Sequence, residues 1–525
     1  MSSATRPARA AESYDAVPYE GHPIQDTSPD ALAVMGTLFG IEPAPVENCR
    51  VLELGCGSSV NLAAMALPLP GARFVGIDAS PRQIEIGREL LRRIGVSNVE
   101  LEARDLLELP ADLGPFDYVL CHGVYSWVAP PVQEKILEIL GRSLTPRGIA
   151  YLSYNTYPGC HLRDMAREMM RFHVRHVPDP TESTKQARAL IAFLIRFGND
   201  PRAEYGKILE NVQKELSAEP DWYVFHEYLE EYNSPVYFSE LVERAERRGL
   251  QYLAPSVFHA RELNLPAEVS EVLAKLGSRV VREQYLDFLF NRKFRKTLFC
   301  PSGVNVAAEP RAEAVRSMTV VSRAQSSAAA PEGSPPGVRE FVAPTGERIA
   351  TDRPLVQSVL SLLEERAPLP VPVSEIWPEV LRRIPVEEDG AASPEEIDRV
   401  LVRLQTAHLA ELRTWSPMQP FAAGERPVAS PLARLQASGN LPVTNLRHES
   451  RNLLDFDRLV LPLLDGTRDR AALRQAVARE VAEDRMHFED SSGVRLEDPA
   501  RVGEFVAREV EQSLQRIAGG CLLTG

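Results

Sequence analysis

The amino-acid sequence predicts an α/β protein: a parallel sheet covered by helices on both faces, with further helical units appended. Three observations predict it. Short apolar runs alternate with helix-spaced patterns between residues 50 and 155. The first run, Arg50-Val51-Leu52-Glu53-Leu54, feeds into Gly55-Cys56-Gly57-Ser58-Ser59, where two glycines permit a tight turn and close approach of a ligand. At 525 residues the chain is also too long for one hydrophobic core.

Strands are expected at 51–54, 74–77, 99–103, 118–121 and 149–153, with helices at 60–66, 81–94 and 132–144 between them. Ser80 followed by Pro81 is a capped helix start. An earlier helix begins at Ser28-Pro29 and places Leu32, Met35, Leu38 and Phe39 on one face. Such alternation implies a parallel sheet, with a ligand beyond the carboxyl ends of its strands. Residues 1–12 are expected to be disordered. The following Tyr14-Asp15-Ala16-Val17-Pro18-Tyr19 reads either as a strap over the core or as a lid on a ligand site.

A net charge of -14 argues against nucleic-acid and anionic-membrane partners. Six scattered cysteines show no CxxC pair and no zinc spacing, so they are expected to be reduced, the metal content nil and the location cytoplasmic. No secretory h-region opens the chain, and no run approaches the roughly 18 apolar residues of a membrane span.

The glycine turn narrows the cofactor. Val60 stands where a dinucleotide fingerprint has its third glycine, and no Gly-Lys-Ser/Thr follows. Asp78 closes the second expected strand, where a carboxylate can accept from both ribose hydroxyls; Asp105 follows the third, placed for an adenine amino group. Together Glu53-x-Gly55-x-Gly57-x-Ser59, Asp78, Asp105 and Phe116-Asp117-Tyr118-Val119-Leu120 resemble class I S-adenosylmethionine-dependent methyltransferases. The resemblance implies a Rossmann-like seven-stranded methyltransferase sheet with S-adenosyl-L-methionine as cofactor. It places Glu53, Gly55, Gly57 and Ser59 in the cofactor loop, the two glycines near the methionine moiety. It puts Asp78 on the ribose, Asp105 and Leu106 beside adenine, and His122 near the cofactor's amino acid. The family often has glycine at the position of Ser59.

Tyr14–Tyr19, His122-Gly123-Val124-Tyr125-Ser126-Trp127 and Ser153-Tyr154-Asn155-Thr156-Tyr157-Pro158-Gly159 are similar to bacterial methyltransferases with a methyltransferase regulatory domain. That group includes rickettsial protein-lysine methyltransferases acting on outer-membrane protein. The similarity covers most of residues 13–301.

The expected domains are a 13–155 cofactor-binding core, a 156–233 helical insertion and a 234–301 return to the sheet with its own insertion. A linker and hairpin follow at 302–345, with the plainest linker composition at 325–336. Residues 346–430 read as a winged-helix-like unit with helices at 354–366, 373–383 and 394–407; residues 431–525 read as a small helical module. Mixed charge on the third of those helices favours protein docking or a structural role over DNA reading. The basic cluster Arg292, Lys293, Arg295 and Lys296 reads as a solvated strand edge, with contact to an acidic substrate as the alternative. Phe225-His226-Glu227-Tyr228-Leu229-Glu230 reads as a polar face or a wall of the substrate channel, since His226 and Glu230 lack a third metal ligand.

Methyl transfer to a lysine needs a neutral amine, which a desolvated aromatic site favours. Tyr14, Tyr19, Tyr125, Trp127, Tyr154 and Tyr157 are the expected cage, with Asp15 and Asn155 orienting the acceptor. Three functions stay open: a protein methyltransferase, a small-molecule methyltransferase, and a non-catalytic cofactor binder. The first expects a protein or peptide acceptor, and the helical insertion is the segment expected to pair two copies.

Overall fold

The computed structural model describes residues 21–198, 204–384, 393–417, 419–483 and 498–525. Its centre is a seven-stranded sheet: β1 Arg50–Leu54, β2 Arg73–Asp78, β3 Val99–Ala103, β4 Phe116–Cys121, β5 Leu144–Asn155, β6 Leu250–Pro255 and β7 Phe294–Pro301. The order is β3-β2-β1-β4-β5-β7-β6, with β1 to β5 parallel and β7 antiparallel to both neighbours. Strand order reverses between β1 and β4, which opens a crevice at their carboxyl ends. Val51, Leu52, Leu54 and Tyr118 to Cys121 are all buried, as strands covered on both faces require.

The helices between them form where expected. In Pro81–Ile94 the Ser80 hydroxyl accepts from the Gln83 amide, Pro81 occupies the first turn, and Gly95 at φ +73° ends it. Ile84, Gly87, Leu91 and Ile94 are its buried stripe.

The insertion after β5 comprises Cys160–Val174, Pro180–Phe197, Glu204–Ala218 and Asp221–Val224, the last running into a π-turn at Phe225–Leu229. It owns a separate core of Ala166, Met170, Ala187, Ile191, Leu209, Leu216 and Tyr228.

The basic cluster is a correction. β7 is an internal strand, so its charges are not a solvated edge. Arg295 is 3% exposed, and its Nε donates to Asp287 at 2.7 Å and its Nη2 to Glu283 at 3.0 Å. Arg292 pairs with Glu262 and Asp287, and Lys296 with Asp26. Helix Arg279–Phe290 supplies the buried acids, without which an interior arginine would be very costly.

The second half differs from expectation in its strands: Gln325–Ser326, in the expected linker, pairs with Arg339–Val342, and Val443–Thr444 pairs with Ser450–Arg451 in the expected helical module. β8, Thr319–Ser322, lies within the expected linker region yet is the central strand of a three-stranded sheet with Val371–Pro372 and Ala410–Arg413. Helices Pro354–Arg366, Val373–Arg383 and Pro394–Thr406 pack beside it, and Arg339–Val342 pairs with Arg348–Thr351 as a hairpin. Val320, Leu355, Val359 and Leu401 join one buried core with Leu32, Met35 and Tyr118. Asp30 fastens the same junction by accepting from the Thr414 and Trp415 amides, both at 2.8 Å.

The C-terminal region has its own core of Val460, Leu473, Val477, Val506, Val510 and Leu514, closed by helix Pro499–Gly519. Among the described residues no helix is long and apolar enough to cross a membrane.

Candidate active site

The glycine turn leaves β1 with three left-handed residues, Gly55 at φ +75°, Gly57 at +51° and Ser59 at +61°. A Cβ on Gly55 would lie 2.3 Å from the Val124 methyl, so the β4 loop packs directly on this turn. Gly57 instead faces open space, and its amide donates to Asp78 Oδ2 at 2.8 Å. The Ser80 amide donates to Asp78 Oδ1 at 2.9 Å, so backbone groups orient the carboxylate at the end of β2. Asp105 caps the turn after β3 by accepting from the Leu107 amide at 2.9 Å.

Beyond these strand ends lies a cavity of about 1190 Å3. Glu53, Gly55, Gly57, Asp78, Asp105, Leu106 and His122 line its sheet side, with Trp127 and Asn155 beside them. Ser59 does not: it is buried, its hydroxyl 3.5 Å from the Cys56 sulfur, and Ser58 takes the wall position.

The aromatic set divides. Trp127 reaches the cavity, but Tyr125, two residues earlier on the same 3-10 turn, is buried edge-on against Tyr154. β5 alternation sends Asn155 to the cavity and Tyr154 to the core, where its hydroxyl is 2.9 Å from Thr297 Oγ1. Tyr157 stacks on His161 and donates to Asp164 at 3.0 Å, away from the cavity. Tyr14, Asp15 and Tyr19 lie outside the described residues.

Other aromatics take the facing wall: Tyr223, Tyr228 and Tyr232 from the insertion and Phe294 from the start of β7. His226 and Glu227, in the segment read as a polar face or a channel wall, line it too. Tyr223, Tyr232 and Phe294 carried no sequence signal, because residues remote in the chain converge here. Among the described residues no group of side chains could hold a metal ion; His226 Nδ1 instead meets Glu230 Oε1 at 3.0 Å.

The wall is acidic, with Glu53, Asp78, Asp105, Glu215, Glu219 and Glu227 against Arg163 and Lys293. Both cations are matched, Arg163 by Glu227 and Lys293 by Glu215. Glu53 is 3% exposed; Oε1 accepts from Asn61 Nδ2 at 2.7 Å, while Oε2 has no partner among the described residues. Burial pushes its carboxyl up to about 8, only partly offset by the Asn61 bond. Burial likewise lowers His122 to about 4, so its ring is neutral, with Nδ1 2.9 Å from the Tyr151 hydroxyl. An orphaned buried carboxylate oxygen, two ordered acids at strand ends and an acidic lining fit a nucleoside carrying a positive charge. A dinucleotide pyrophosphate would meet repulsion here.

Three family models match the chain: a methyltransferase domain at residues 45–193, a predicted methyltransferase regulatory domain at 220–301, and a PKMT C-terminal winged helix domain at 425–522. The winged-helix match lies over the segment read from sequence as a small helical module, beyond the 346–430 unit. Among solved structures, PKMT2 from Rickettsia typhi in complex with AdoHcy has a TM-score of 0.84 at 30% identity, covering 97% of this chain and 100% of that one. The uncharacterized protein RP789 of Rickettsia prowazekii is 27% identical over 516 residues, 97% of this chain and 93% of that protein. The uncharacterized protein RP028 of the same organism is 40% identical over 241 residues, 46% of this chain and 96% of that protein.

Proposed function

This chain belongs to the methyltransferase family of Rickettsia typhi PKMT2, and on that premise we propose that it methylates lysine side chains of protein substrates. It is an S-adenosylmethionine-dependent methyltransferase. The observation that carries the substrate reading is that this cavity has two unlike walls, a sheet side bearing Asp78 and Asp105 and a facing side of acids and aromatic rings.

S-adenosylmethionine supplies a methyl group on a positively charged sulfur, so the chain has to bind, orient and exclude water. Asp78, held by two backbone amides, would accept from the ribose hydroxyls. Asp105 and Leu106 would flank adenine, and Gly55 and Gly57 would leave room for the methionine part. Glu53 would present its unpartnered Oε2 to the methionine ammonium, and that cation would restore the charged carboxylate that burial disfavours.

The lysine arrives as a cation and must lose a proton before it attacks. Glu215 and Glu219, both exposed at the mouth, would attract it. Tyr223 and Tyr232 would offer ring faces to the ammonium, and a substrate that covers Trp127 and Phe294 would displace water there and favour the neutral amine. Asn155 is fixed for orienting the acceptor: its amide nitrogen donates to Asn233 at 2.9 Å and its backbone to Ser126 at 2.8 Å. Exposed acids at the rim suit a tethered cationic side chain better than an enclosed small molecule.

Transfer of label from radioactive cofactor into a bacterial lysate, resolved by size, tests this. Label in the protein fraction is the expected result; label only in small metabolites would overturn it.

A further inference from the structure

We propose that His448, on a C-terminal hairpin turn, is a positioning residue for the cofactor site. It acts through Asn61, whose amide holds Glu53, a residue of the cavity wall, by one carboxylate oxygen. The proposal rests on the reading of Glu53 as a cofactor-binding residue.

The turn is built to present this side chain. Strands Val443–Thr444 and Ser450–Arg451 pair antiparallel, and Asn445 braces the residues between them. Its Oδ1 accepts from the Arg447 amide at 2.9 Å and the Glu449 amide at 3.0 Å; its Nδ2 donates to Glu449 Oε2 and to the Gly520 carbonyl. His448 sits at φ +63°, a conformation that few side chains other than glycine adopt, and is 4% exposed. This strained turn sends the imidazole out of its own domain and behind the glycine turn, 387 residues away in the chain from the side chain it meets.

The direction of each hydrogen bond follows from its partners. The Ile24 amide can only donate, and it lies 2.8 Å from Asn61 Oδ1, which identifies that atom as the oxygen. His448 Nε2, 2.8 Å from the same oxygen, therefore carries the ring proton and donates. Burial holds the imidazole neutral, consistent with this tautomer. With Oδ1 satisfied twice, Asn61 Nδ2 points the other way, donating to Glu53 Oε1 at 2.7 Å and to Thr27 Oγ1 at 3.0 Å. All four hydrogen-bond positions of this amide are used, so it cannot rotate. Glu53 is thus held by one oxygen, and the other has no partner among the described residues.

The C-terminal region matched by the winged-helix model therefore forms part of the cofactor site without touching the cofactor. By linkage, whatever cofactor binding does to this chain of contacts, displacement of the turn does in reverse to cofactor affinity.

His448→Phe keeps a ring and removes the donor, and His448→Gln restores a donor near the Nε2 position. Calorimetry with S-adenosylhomocysteine is expected to show His448→Phe binding about fivefold more weakly and His448→Gln within about twofold of the native chain. Unchanged affinity in His448→Phe overturns the proposal. So does equal weakening in both variants that tracks a shared fall in melting temperature without ligand, since that is a structural effect alone. Glu53→Gln is measured alongside: if it binds normally, the reading of Glu53 has failed; if it binds weakly while His448→Phe binds normally, only the His448 link has failed. Hydrogen exchange on the native chain needs no variant. Slower exchange at the Arg447 and Glu449 amides on adding S-adenosylhomocysteine is expected, and no change there overturns the coupling.

Discussion

The sheet side of the cavity draws mainly on residues 53 to 122, each within a few positions of a strand end, while the facing side gathers Arg163, residues 215–232 and the start of β7. The two strand-end acids of the sheet side are held by backbone: Asp78 accepts from the Gly57 and Ser80 amides and Asp105 from the Leu107 amide. The facing side is held by side-chain pairs such as Arg163 with Glu227 and Lys293 with Glu215. Backbone geometry suits a ligand that never changes, and a wall of matched side chains can be rebuilt for a new acceptor without disturbing the sheet. Under the proposed function, cofactor binding falls to one wall and acceptor choice to the other.

Asp78→Ala should break the sheet wall hardest. Losing two hydrogen bonds to a charged acceptor, at about 1.5 kcal/mol each, weakens cofactor affinity by about 100-fold in calorimetry. Normal affinity in this variant would remove the ribose assignment.

Next comes pH. With Glu53 at about 8 in the free protein, a bound ammonium requires the proton to leave. Cofactor affinity therefore rises with pH, by up to about tenfold per unit below 8, and levels off above it. Glu53→Gln should flatten that slope. The sign reverses for stability. The folded chain keeps a proton the unfolded one releases near its ordinary value of 4.5, so Glu53 makes the ligand-free fold less stable as pH rises toward 8.

On the facing wall, Glu215→Gln with Glu219→Gln should raise KM for a lysine-bearing peptide about fivefold, with the loss shrinking in high salt, and leave cofactor affinity unchanged. An equal effect on both ligands would erase the distinction between the walls. The smallest effect is expected at Tyr125→Phe. The hydroxyl has no partner among the described residues, so its removal should cost under about 1 kcal/mol in denaturant melts and leave turnover within twofold.

The same contrast explains what was legible in the sequence. Val51 to Leu54, the paired glycines, Asp78 and Asp105 announce themselves because strand burial, turn and cap are local. The fate of Tyr125 was not legible, since only the turn geometry decides that Trp127 rather than Tyr125 meets the cavity. Nor was that of Arg295, whose charge is neutralised by acids on a helix that sequence reading had set apart as an insertion. β8 is four residues long, too short for periodicity to separate from the linker around it. His448 gave no signal at all, because its partner Asn61 is brought near only by the docking of the C-terminal region.

The central claim is that the acidic, aromatic wall selects a lysine on a protein. Acid hydrolysis of the labelled protein fraction, followed by separation of its amino acids, reads this directly. Label recovered as methylated lysine is the predicted result; label in any other amino acid, or none in protein, would contradict it.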